Sequence, residues 1–216
     1  MQERYGKPVS TDECSYEGDL PQNWGAIPGW EMTARFWRSI VRGASCTHGE
    51  TFYPDEREIF WWAKGGRLRG ESPARIAFLR KITEEIPGSL TPEPGMGEEF
   101  AGRTREEVEE LLVGRSVIER SVIHAQVRAD DDYLSHMRQC EGECMGHAGE
   151  RAYLWYLDLC TYCKKEIRLP EEHSYRVEVL DTWEMTRTTA SERASGTLTV
   201  SLPAKPWMAI FARAVD

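Results

Sequence analysis

Apolar and polar positions change period along this chain, and the changes divide it. Between Glu31 and Arg42 the apolar residues Met32, Phe36, Trp37, Ile40 and Val41 recur at helical spacing, and Gly43 supplies a C-terminal stop. A short β run over residues 7–12, entered through Pro8, precedes that helix. The loop between them is punctuated by Gly18, Pro21, Gly25, Pro28 and Gly29. Residues 44–47 predict a second short strand, which leads into a polar loop beginning His48-Gly49-Glu50 and carrying Phe60, Trp61 and Trp62. Ser72-Pro73 then predicts a helix to about Ile86, with Ser72 as its cap, Pro73 in its first turn and Ile76, Leu79 and Ile82 turned inward. Strand, long loop and helix thus occur twice in a row, the order of a parallel α/β fold with its chemistry at the C-terminal ends of the strands.

After Pro87-Gly88 the pattern loosens. A Pro/Gly-rich connector precedes a charged helix starting near Thr104, where Thr104 and Glu107 have capping-box spacing, and residues 89–150 read as a linker with an inserted helix. From Arg151 the period becomes two: Tyr153, Trp155 and Leu157 alternate with Leu154, Tyr156 and Asp158, and further runs follow at 175–180, 198–202 and 207–212. These predict antiparallel strands in a small β-sandwich over 151–216.

Charge narrows the function classes. With 36 acidic against 27 basic residues the formal net charge is -9, which argues against a general affinity for nucleic acid or for anionic membranes. No apolar run reaches the roughly 18 residues of a membrane span, and MQERYGKP lacks the apolar core of a secretory signal, so the expectation is a cytoplasmic protein. Eight Trp and eight Tyr are many for 216 residues; rings with a polar edge suit core packing and also contact with sugars or partners.

The phrases DECSYEGDLPQNWG, FWRSIVRGASCTHGETF, IFWWAKGG and ESPARIAFLRKI occur in that order, followed by LPEEHSYRVEVLDTWEMT and SLPAKPWMAIFARA. Together they resemble the apiosidase-like glycoside hydrolases, retaining enzymes of clan A. The first four resemble the end of the catalytic (β/α)8 barrel and the last two the small β domain behind it. The resemblance implies an α/β plus all-β chain: residues 1–88 as the last two βα units of a barrel, 89–150 as linker, and 151–216 as the sandwich. A complete barrel takes about 250 residues, so the resemblance also implies a missing upstream portion or an oligomer that covers the open sheet edges.

Clan A places its nucleophile at the end of the seventh barrel strand, which corresponds here to Glu13. A retaining enzyme needs that carboxylate ionised, with an acid about 5–5.5 Å away to protonate the leaving oxygen; the acid of strand four has no counterpart in this chain. Asp12, one residue displaced, would face the other way, and Glu17 would position a hydroxyl or a neighbouring side chain. His48 and Glu50 would meet sugar hydroxyls, and Trp61, Trp62 and Trp24 are candidates to stack on a pyranose face. The substrate would be carbohydrate, with no cofactor and no metal. Two other readings stand beside this one. Trp183 and Trp207 could serve as the contact surface of a non-catalytic carbohydrate-binding or interaction module. Cys140, Cys144, Cys160 and Cys163, with His147 nearby, approach the spacing of a structural zinc site that would stabilise such a module.

Overall fold

The computed structural model describes residues 7–18, 25–49, 70–93, 105–117, 120 and 143–216. Its N-terminal region holds strand β1 (Ser10–Thr11), helix α1 (Gly29–Val41), strand β2 (Ser45–Cys46) and helix α2 (Ser72–Thr83). β1 and β2 pair in parallel, Ser10 opposite Ser45 and Thr11 opposite Cys46. Both strands are shorter than the predicted runs, and beyond β1 the chain leaves extended geometry at Glu13 and Ser15, whose φ angles are 53° and 93°. Helix α1 follows the predicted periodicity, burying Met32, Phe36, Trp37 and Val41.

The rest is antiparallel. Strands β3 (Thr91–Pro92), β4 (Cys144–Ala148), β5 (Ala152–Tyr156), β7 (Tyr175–Asp181), β8 (Thr186–Ala194) and β10 (Met208–Ala214) form one sheet in the order β3-β4-β5-β10-β7-β8. Strands β6 (Lys164–Leu169) and β9 (Gly196–Ser201) form a separate two-stranded sheet. A short helix, α3 (Arg105–Leu111), lies between β3 and β4. Two strands of the large sheet therefore come from residues 89–150, the stretch expected to be linker.

Both faces of the large sheet are covered, which explains why β5 reads AYLWY without a polar position and is buried throughout. Leu154, Tyr156, Leu180, Ala209 and Phe211 face the helices, packing with Met32, Phe36, Trp37, Val41, Leu79 and Ile82. Trp37 stacks on Tyr156 with ring centroids 5.5 Å apart. The alternate residues Tyr153, Trp155, Val177, Met208 and Ile210 pack under Ile167, Leu169 and Val200 of the β6–β9 sheet. The expected sandwich is thus a three-layer arrangement in which the α1–α2 pair covers one face of the central sheet. Among the described residues no helix is long and apolar enough to cross a membrane.

Polar contacts join the two regions. Arg38 of α1 donates to the buried Asp158 carboxylate at 2.5 Å. Arg187 and Arg213 both pair with Glu85, just beyond α2, and Arg187 also bonds Glu178. Trp207 stacks on Trp30 at 5.8 Å and touches Trp183 at 5.7 Å, while the Arg75 guanidinium lies 3.6 Å over the Trp183 ring. Trp183 and Trp207 are therefore seam residues between the regions, tied to Trp30 and Arg75 of the two helices.

Candidate active site

The loop after β1 carries three carboxylates, and the structure gives each a different environment. Asp12, exposed, accepts a hydrogen bond from the Ser10 hydroxyl at 2.7 Å, on its own strand. Glu17 is 4% exposed, and its oxygens accept from the Glu71 amide (2.7 Å), the Ser72 amide (3.0 Å) and the Ser72 hydroxyl (2.5 Å). Those amides are among the groups that a helix leaves without partners at its N-terminus, and the helix dipole favours an anion there. Glycine at 29 and 70 makes room: a Cβ on Gly29 would stand 2.5 Å from Glu17 Oε1, and one on Gly70, whose φ is +106°, would stand 2.2 Å from Glu17 Cδ. Glu17 is thus the cap of α2. Ser72, expected to cap that helix, instead begins it and donates to Glu17.

Glu13 is exposed and, among the described residues, forms no ion pair. Its backbone amide donates to Thr47 Oγ1 at 3.2 Å, tying it to the residue after β2. Burial first, then the nearby charge of Glu13, push the Tyr16 phenol above its ordinary value. A non-glycine residue at positive φ is uncommon, and two within three residues, Glu13 and Ser15, mark a backbone that its surroundings must hold. Arg35 of α1 does part of that holding, with Nη1 donating to the Cys14 carbonyl (2.5 Å) and the Ser15 hydroxyl (2.8 Å) and Nε to Glu31 (2.7 Å).

The two cysteines at the strand ends are neighbours. Cys14 Sγ lies 3.6 Å from Met32 Sδ, and both Cys14 and Cys46 approach the Thr47 carbonyl, at 3.7 and 3.9 Å. The Cys46 thiol donates to Cys14, which lowers Cys14 to about 7 against the opposing effect of burial. Cys46, the donor, is raised in turn.

His48, half-buried in the loop after β2, is engaged by the protein. Its Nε2 is 3.1 Å from Ser72 Oγ, the hydroxyl that also bonds Glu17. It therefore extends the Glu17–Ser72 chain that joins the two loops. Glu50, Trp24, Trp61 and Trp62 lie outside the described residues.

For a four-thiolate metal site the geometry is unfavourable. Cys144 packs in the core on the helix side of the sheet, and Cys160 packs against the core on the opposite side. Burial pushes the Cys144 thiol up to about 12, away from the thiolate a metal binds. Cys140 lies outside the described residues, and among the described residues no three His, Cys, Asp or Glu side chains gather in a group that could hold a metal ion. His147 instead stacks on Tyr153 at 6.0 Å.

Comparison with known proteins gives the following. Residues 141–213 match a family model described as a domain of unknown function, DUF5605. No curated protein sequence matches this chain. Three solved structures share its fold. One, provisionally assigned as a glycoside hydrolase from Bacteroides vulgatus ATCC 8482, is 23% identical with a TM-score of 0.67 over 99% of this chain and 37% of its own. A second, described as a glycoside hydrolase, is 11% identical with a TM-score of 0.53 over 97% and 43%. The third, a glycoside hydrolase family 5 protein from the same Bacteroides strain, is 13% identical with a TM-score of 0.52 over 96% and 41%. The chain spans well under half the length of each of these structures, and along nearly its whole length it shares the fold of part of a glycoside hydrolase.

Proposed function

We propose that this chain is the C-terminal portion of a retaining glycoside hydrolase acting on O-glycosidic bonds of oligo- or polysaccharides, with Glu13 as its nucleophile. In this reading β1 and β2 are the last two strands of a (β/α)8 barrel of clan A type, and residues upstream of the chain supply the other strands and the general acid. The observation that carries the proposal is the sorting of the three loop carboxylates. Asp12 is engaged by Ser10 and Glu17 is consumed as a helix cap, whereas Glu13 is exposed at the strand end, on a strained backbone, with the Tyr16 phenol near it.

A nucleophile of this kind must be ionised and fixed in direction. The Glu13–Thr47 bond fixes the backbone beneath the carboxylate, and the Tyr16 phenol stands beside it. Glu13 would attack the anomeric carbon to give a glycosyl-enzyme, which water then hydrolyses. The cleft that orients the sugar would include Glu50, Trp61, Trp62 and Trp24.

The test separates nucleophile from acid. An activated 2-deoxy-2-fluoroglycoside with a dinitrophenyl leaving group needs no proton donor, so the isolated chain should acquire a fluoroglycosyl adduct at Glu13, located by peptide mass spectrometry. Ordinary aryl glycosides should not turn over. A panel of sugars that never labels Glu13, an adduct at Asp12 or Glu17, or turnover that persists in Glu13→Gln rejects the assignment.

A further inference from the structure

An open cleft lies in the C-terminal region, on the face of the large sheet away from α1. β8 pairs with β7 alone and β9 with β6 alone, so these two strands end their sheets and leave a cleft between them. The cleft encloses about 520 Å³, within the range of about 300–1,000 Å³ usual for small-molecule sites. Its floor is apolar, formed by Val179, Leu198, Val200, Pro203 and Met208. Beside it Thr186 and Thr188 of β8 carry hydroxyls on the sheet face that also bears Val179 and Asp181, while Thr199 and Ser201 of β9 alternate with Leu198 and Val200 and turn to the outer face. Among the described residues neither the Thr186 nor the Thr188 hydroxyl has a protein partner, whereas Thr189 nearby is engaged by Arg176 at 3.1 Å.

Charge selects the ligand class. The ionisable groups lining the cleft are Asp181 and Lys205, and they pair with each other. Asp181 is further engaged, accepting from the Trp183 and Glu184 amides at 3.1 and 2.9 Å. The site therefore offers no net charge to an anion or a cation. A hydroxyl both donates and accepts, so the Thr186 and Thr188 hydroxyls match a ligand whose own groups do the same. The apolar floor matches a ring that presents C–H groups between its hydroxyls. We propose that this cleft binds a neutral saccharide, one or two units of a glycan chain, through Thr186 and Thr188 over the Val179–Met208 floor.

The site rests on the β domain and does not depend on Glu13, and the experiment keeps the two apart. Methyl-labelled full-length chain would be titrated with neutral di- and trisaccharides of glucose, xylose, mannose, galactose and arabinose up to about 10 mM, a weak-binding regime. The expected result is a saturable shift of the Val179, Leu198, Val200 and Met208 methyl resonances with at least one sugar. Thr188→Val, isosteric and on an exposed strand, should weaken that binding by roughly tenfold, the order expected from one lost hydrogen bond. Glu13→Gln should leave it unchanged, so loss of fluoroglycoside labelling and loss of cleft binding report different failures. The proposal is overturned if no sugar shifts these methyls, if Thr188→Val binds as tightly as the parent, or if shifts concentrate at Trp30, Trp183 and Trp207 instead.

Discussion

The two regions of this molecule solve the sheet problem in opposite ways. From residue 143 onward, β5, β10 and β7 each have neighbours on both sides, and apolar layers cover both faces of the sheet. In the N-terminal region, among the described residues, two strands of two residues pair only with each other, and the helices that follow them obtain much of their burial from the C-terminal sheet. The self-sufficient region keeps its left-handed non-glycine residues, Asp158, Met185, Ala204 and Trp207, in the turns and bends between strands. The dependent one holds Glu13 and Ser15 in left-handed geometry at the point where the chemistry is proposed. Stability is supplied by one region and used by the other, as expected where a strained site must be held by its surroundings.

If that is right, the largest effect follows from cutting the tie between them. Arg38→Met leaves Asp158, 1% exposed, without its cation, and breaking a buried pair from one side costs about 3–5 kcal/mol. Urea unfolding should show the loss as a lower midpoint. Two resolved transitions in the parent chain would mean that the N-terminal region stands by itself, and the comparison would fail.

A smaller effect stays inside the dependent region. Glu17→Ala removes three hydrogen bonds from the start of α2 and empties the space between Gly29 and Gly70. A cost of about 2–3 kcal/mol is expected, above a usual cap because the amides are left buried. Hydrogen exchange should quicken in the first turn of α2 and stay slow in β5 and β10.

These contacts also mark what the sequence made legible. The helical period of α1 and the doubled apolar pattern of β5 are local and appear in the structure as the residues predict. β4 does not announce itself, because CMGHA lacks branched and aromatic residues and its Cys and His imitate metal spacing; its alternating burial comes from pairing with β5. Glu17 meets its amides from 54 and 55 residues away, and Arg38 meets Asp158 from 120. No periodicity reaches across such distances, so the cap, the buried pair and the engagement of His48 became readable only in three dimensions. The three loop carboxylates differ little by position alone; what separates Glu13 from Asp12 and Glu17 is their partners.

Acid should weaken the second tie between the regions, that of Glu85 with Arg187. The hydrogen bond from Arg187 holds the Glu85 carboxyl below its ordinary 4.5, against a smaller effect of burial. A depressed folded value means that the stabilisation is complete above 4.5 and fades as pH falls through the lowered value. Glu85→Gln should therefore cost roughly 0.5–1 kcal/mol near neutrality, discounted for partial exposure. Parent and variant should converge in acid, which paired urea titrations across that range would show. A constant difference at every pH would mean that Glu85 acts by packing rather than charge.

The smallest effect compares the same backbone strain in both regions. Met185, in the turn between β7 and β8, has φ 56°, and Glu13 has φ 53°. Left-handed geometry costs a residue with a Cβ about 1–2 kcal/mol, and glycine returns about 0.5–1 kcal/mol of that through its freer unfolded chain. Met185→Gly should thus gain from nothing to about 1.5 kcal/mol in urea unfolding, with fluoroglycoside labelling intact. Glu13→Gly should gain a similar amount, since its exposed side chain leaves no buried group behind, and should lose labelling altogether. Equal gains with unequal consequences would show that the strain at Glu13 is kept for the position of its carboxylate. Destabilisation by Glu13→Gly would instead make that side chain part of the fold.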